Sequence, residues 1–152
     1  MTSSPFVIVI ITITIFASSL FYLPSLQQSY SQAMTKDNEQ LWSDSDHDLK
    51  IRFIYEPKIP IVDKPTELKF AVQHISTGDY LRNLEANVLV TDNISGVFRD
   101  FRFNNVSVPD GQFSVKYLFP DTGLFEIIVR ISSPDAPDAQ ALAAFEVIVS
   151  KK

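Results

Sequence analysis

The sequence has no cysteine, four glycines, two methionines, and no charged residue or histidine among its first 33 positions. The missing cysteine excludes disulfides, thiolate nucleophiles, cysteine-held zinc, iron–sulfur clusters and thiolate-ligated copper. Only two histidines, His47 and His74, are left for metal or acid–base chemistry. Basic residues are also short: 13 against 18 acidic ones, a net charge of −5. Without clustered Lys and Arg to neutralise phosphates, nucleic acid is not an expected partner. There is no Gly-x-Ser-x-Gly elbow, no His-Glu-x-x-His and no phosphate-cradling glycine loop, so the reading is that the chain is no enzyme and carries no cofactor.

What is present begins with an apolar run, FVIVIITITIFASSLFYL, at residues 6–23. As a helix it would reach roughly 27 Å, close to a bilayer's hydrocarbon thickness. It is too long for an ordinary strand. The expectation is one N-terminal transmembrane or signal helix within residues 1–23, which makes the membrane a partner through residues 6–23. Ser31-Gln32-Ala33 puts small residues where signal peptidase prefers them, while the start of the chain lacks Lys and Arg. Both outcomes stay open: a single-pass anchor with an extracytoplasmic domain, or secretion after cleavage near Ala33. The sequons Asn93-Ile94-Ser95 and Asn105-Val106-Ser107 agree with export and mark Asn93 and Asn105 as candidate glycosylation sites. Residues 24–46 are polar and without sustained periodicity, which predicts a linker carrying Trp42.

From residue 47 the hydrophobic period is two. Leu49, Ile51, Phe53 and Tyr55 alternate with polar neighbours, and similar runs recur near 68–74, 86–90, 97–103, 113–119, 125–131 and 143–149. Half-buried antiparallel strands require that alternation. Gly78, Gly96, Gly111 and Gly123 fall between the runs, as do Pro57, Pro60, Pro65, Pro109, Pro120, Pro134 and Pro137. Seven short strands over residues 47–150 predict an all-β, seven-stranded immunoglobulin-like sandwich.

The stretch Tyr117-Leu118-Phe119-Pro120-Asp121-Thr122-Gly123-Leu124-Phe125-Glu126-Ile127 resembles the E–F corner of immunoglobulin-like domains, Asp-x-Gly/Ala-x-Tyr-x-Cys. Asp121 and Gly123 match; Phe125 and Ile127 stand where that pattern has Tyr and Cys. The corner hydroxyl and the intersheet disulfide are therefore missing, and the likeness points to the broader sandwich class. Residues 68–145, with the turn Phe-Pro-x-x-Gly-x-Phe, are also similar to small exported prokaryotic modules of the YtkA-like and CopC-like kind. Copper-carrying members of that group hold the metal with His and Met, and this domain has no Met after Met34.

Asp44-Ser45-Asp46-His47-Asp48 is the densest set of potential ligands. Its alternate carboxylates suit the start of a calcium loop, but Leu49 and Tyr55 stand where such a loop needs Gly and Glu. His47, His74, Asp46 and Asp48 form the candidate metal set, against the plainer readings of a solvated acidic linker and a strand-end histidine. His74 is paired in expectation with Asp79 or His47. In immunoglobulin-like order the loops carrying Asp79, Asp110, Asp135 and Asp138 share one pole, a candidate surface for cations or a basic partner. Ordinary turn chemistry also collects Asp in loops. The expected function is an extracytoplasmic, membrane-anchored or secreted binding or structural module with a protein partner at the cell surface. The alternative is copper-type metal handling through His47 and His74.

Overall fold

A computed structural model describes residues 33–36, 38–94, 97–134 and 136–151; the predicted helix at 6–23 lies outside them. Among the described residues no helix is long and apolar enough to cross a membrane. They form nine antiparallel strands: β1 (Ala33–Lys36), β2 (Glu39–Asp44), β3 (Leu49–Glu56), β4 (Pro65–His74), β5 (Leu84–Ile94), β6 (Val97–Val108), β7 (Gln112–Leu118), β8 (Gly123–Ser133) and β9 (Ala136–Val149). One sheet has the order β1-β2-β3-β4-β7 and the other β6-β5-β8-β9.

The period of two places one face of each sheet inside. Ile51 and Phe53 of β3, with Leu68, Phe70 and Val72 of β4, are buried from one layer; Val88, Val90, Ile127, Val129, Phe145 and Val147 are buried from the other. Phe53 stacks on Phe145 with ring centroids 4.9 Å apart, joining β3 to β9 across the core. Phe70 and Phe113 stack at 4.7 Å, and Phe119 meets Phe125 edge-on at 4.7 Å. Offset and edge contacts of this kind add to the burial term.

Three expectations need correction. The segment read as linker at 24–46 contains β1 and β2, so the sandwich includes residues from Ala33 on and is not confined to 47–150. Trp42 is 3% exposed inside the core, and the Gln40 amide both donates to the Glu146 carbonyl and accepts from its N–H at 3.0 Å. That clamp caps the free edge of β9, so a short amphipathic strand was hidden by its polar partners. Nine strands replace seven, and Pro65 and Pro137 lie within β4 and β9. Both tolerate proline because they sit at strand starts, Pro137 beyond a register break on an edge strand. Beside these, β6 forms a hairpin with β5. A two-residue bulge on β6 opposite Asn87 lets that hairpin continue, with Asn105 at φ 54° and its N–H donating to Asn87 Oδ1 at 3.0 Å.

Candidate functional site: an acidic pole with an apolar cleft

Antiparallel order sends the β2–β3, β4–β5, β6–β7 and β8–β9 connections to one pole. Asp44, Asp46 and Asp48 come from the first, Asp79 from the second, and Asp110 from the third. The expected sharing of a pole by the loops of Asp79, Asp110 and Asp135 therefore holds at the level of chain topology. Asp135 itself lies outside the described residues, and Asp138 falls within β9.

The densest acidic run is a hairpin turn. Asp44 Oδ1 accepts the N–H groups of Asp46 (3.0 Å) and His47 (3.3 Å), the local chemistry by which Asp starts a turn. Asp48 takes a left-handed φ of 52°, which closes the four-residue loop between Asp44 and Leu49. The carboxylates then diverge. Asp44 Oδ2 meets His47 Nδ1 at 2.7 Å, Asp48 Oδ2 meets His74 Nδ1 at 3.2 Å, and Asp46 is exposed.

Asp48 also accepts from the Ser76 N–H (2.8 Å) and hydroxyl (2.7 Å), so it staples the hairpin turn to the β4–β5 loop. The Ser76 bonds lead in holding its carboxyl below the ordinary range, with help from His74. For Asp44, partial burial pushes upward, but the His47 ring, the two backbone N–H groups and the His47 charge together bring the carboxyl below its ordinary value. His74 thus finds Asp48 where Asp79 or His47 was expected; Asp79 instead gives its carbonyl to the His74 N–H at 2.9 Å.

As a metal set, His47, His74, Asp46 and Asp48 do not converge. Each imidazole has its own carboxylate, and among the described residues no three His, Cys, Asp or Glu side chains are arranged to hold an ion. The divergence comes from the tight turn, which turns alternate side chains to opposite sides. Asn105 is exposed on the β6 bulge; Asn93 lies in β5, and the serine of its sequon lies outside the described residues.

Between the sheets at this pole opens a cleft of about 110 Å³, lined by Leu49, Leu81, Leu84, Ile131 and Ala141, with Asp44, His47, Ser132 and Ser133 around them. Gly111 shapes this end. Its φ is +79°, its carbonyl accepts from the Val72 N–H at 2.8 Å, and an added Cβ would meet the Leu81 carbonyl at 2.5 Å. Leu81, Leu84 and Gly111 escape a reading by motif, because no residue type there advertises chemistry; only the fold makes the cleft.

Toward the opposite pole, two buried polar groups have an atom without a hydrogen-bond partner among the described residues. Asp92 is 3% exposed with Oδ1 unpartnered, and the Thr66 hydroxyl is likewise unpartnered. Burial first, and then the Asp92 charge, push the Tyr117 hydroxyl above its ordinary value. The alternation Ala86, Val88, Val90, extended by two residues, already puts Asp92 inside.

No protein-family model matches the chain, and no curated protein does. Among solved structures, the soluble domain of PmoD from Methylocystis sp. ATCC 49242 (Rockwell) is similar at 17% identity and a TM-score of 0.47, over 66% of this chain and 91% of that one.

Proposed function

We propose that the chain is a non-catalytic binding module, held outside the cytoplasm by its N-terminal apolar segment, whose acidic pole receives a basic protein segment. The observation that carries this reading is the cleft: an apolar floor of Leu49, Leu81, Leu84 and Ile131 beside Asp44, on a pole that also displays Asp46, Asp79 and Asp110. Its volume is on the scale of one aliphatic side chain. Apolar burial supplies affinity, and the surrounding carboxylates select a flanking Lys or Arg. Ile75 and Tyr80, both exposed on the β4–β5 loop, extend the contact surface.

The test is selection from a displayed peptide library with the full chain in detergent micelles. Peptides with Leu or Ile beside Lys or Arg should be enriched. Their binding should weaken about tenfold or more in Asp79→Asn/Asp110→Asn, and it should fall with salt. Peptides that bind the neutralised variant equally well would sink the reading. A reporter fused after Lys152 that is active only in the cytoplasm would sink the placement.

A second reading is metal handling by His47 and His74. It is supported by the two carboxylate–imidazole pairs: an ionised carboxylate only accepts, so each Nδ1 donates, and in the neutral ring that leaves the Nε2 lone pair for a metal, as in metal-binding imidazoles. Two such donors fall short of the three or four a retained ion needs. Equilibration with Cu²⁺ or Zn²⁺ decides it: stoichiometric metal lost in His47→Ala/His74→Ala supports this reading, and no bound metal removes it.

A further inference from the structure

The pole opposite the cleft has the reverse electrostatic character. Among the described residues three of its carboxylates are engaged, Glu39 with Arg52 (2.8 Å), Glu56 with Lys69 (2.8 Å) and Asp121 with Arg99 (3.1 Å), and Asp92 is buried. Lys58, Lys64 and Lys151 are exposed there, and among the described residues none of the three has an ion-pair partner. Asp63 lies in the same loop and is outnumbered by these lysines. Between Lys58 and Lys64, Ile59 projects an apolar side chain that is 66% exposed.

This loop is held in place. Ser150 N–H donates to the Pro60 carbonyl at 2.9 Å, Val62 N–H to the Ser150 carbonyl at 3.3 Å, and Asp63 N–H to the Phe119 carbonyl at 3.0 Å. The three lysines and Ile59 are therefore presented together on a braced surface. An apolar tip among lysines suits the headgroup region of an anionic bilayer, where the tip enters the interface and the ammonium groups stay with the phosphates.

The path of the chain permits this orientation. Ala33 pairs with Leu41, and β1 then runs toward this same pole, where Lys36 pairs with Glu39. Residues 24–32 are all that separate the apolar run from Ala33, and nine residues reach at most about 30 Å. Ala33 stands near mid-sheet, in line with Leu41 and Arg52, so a tether of that reach serves either pole, and charge makes the choice: a negative surface repels the acidic pole.

We propose that the lysine pole, with Ile59 at its tip, rests on anionic lipid headgroups, so that the sandwich stands on the membrane with its acidic cleft facing away. This rests on residues 6–23 being the membrane segment and is independent of what the cleft binds.

The absence of cysteine makes the test direct. Ile59→Cys and, at the acidic pole, Arg82→Cys each carry one environment-sensitive fluorophore on the full chain, reconstituted into vesicles with spin-labelled headgroups. With about one-third phosphatidylglycerol, the label at 59 should be quenched several-fold more than the label at 82. That contrast should shrink in pure phosphatidylcholine and in Lys58→Glu/Lys64→Glu/Lys151→Glu, with circular dichroism confirming that the fold is kept. Equal quenching at the two poles, or a contrast indifferent to lipid charge and to the lysines, overturns the proposal. A chain that fails to float with the vesicles overturns it too, by removing its premise, and leaves peptide binding at the cleft to be judged separately.

Discussion

Asp92 is the residue whose chemistry fits its surroundings least. Its carboxylate lies inside a face otherwise made of Ala86, Val88 and Val90, with Oδ1 unpartnered. Replacing the carboxylate by an amide of the same shape should relieve a desolvation cost, because a buried carboxylate with an oxygen left unpartnered opposes folding. Asp92→Asn is therefore expected to stabilise the fold by about 1–2 kcal/mol in chemical denaturation. A loss of stability would show that this carboxylate satisfies a need its neighbours do not reveal. Phe53 gives the opposite case. It is fully buried and contacts Phe70 at 5.0 Å and Phe145 at 4.9 Å, so Phe53→Ala should cost about 3–5 kcal/mol and lower the melting temperature sharply. The inward place of Phe53 is legible in the sequence because period two runs cleanly through Leu49, Ile51, Phe53 and Tyr55. That of Asp92 is legible only by trusting the period over the residue type.

At the scale of elements, what the sequence reveals depends on how a strand is covered. The strands β3, β4 and β8 keep one face in water and one in the core, so alternation exposes them. The strand β2 reads as linker because its inward positions are Gln40 and Trp42, so apolar residues do not alternate along it; the Gln40 amide is matched to Glu146, 106 residues away, and no local pattern encodes that pairing. The same holds for the candidate site. Asp79 and Asp110 could be placed at one pole from strand order alone, whereas the partners of His47 and His74 depend on turn geometry that the residue list does not contain. Gly111 belongs to this level, because it lets the β6–β7 turn pass close under the β4–β5 loop. Gly111→Ala combines a left-handed φ with a clash against the Leu81 carbonyl, so a loss of at least about 2 kcal/mol is expected, along with faster amide exchange at Val72 and Leu81. Unchanged exchange at those two amides would mean that the loop packs independently of the turn.

The sandwich has two ends of unlike charge, and pH separates their contributions. Asp44, Asp48 and Glu67 all have folded carboxyls held below their ordinary values: Asp48 and Glu67 chiefly by serine hydrogen bonds, and Asp44 by its own turn against partial burial. A lowered folded value means these groups add stability above the unfolded value, near 4, and lose it as pH falls through the folded one. Lys69 is shifted upward, chiefly by the hydrogen bond to Glu56, so its contribution is present below about 10.4 and fades only as pH rises past the folded value. Melting temperature should therefore be nearly flat from about pH 5 to pH 9 and fall below about pH 4. Because Asp48 ties the hairpin turn to Ser76 across the acidic pole, Asp48→Asn should lower the plateau and flatten the acid limb, whereas Asp46→Asn, at an exposed side chain, should leave both unchanged. Asp44, beside the cleft, loses its charge in that same acid range, so cleft binding should weaken as attachment to anionic vesicles persists. Parallel loss of both would mean that the two ends do not act through separate charges.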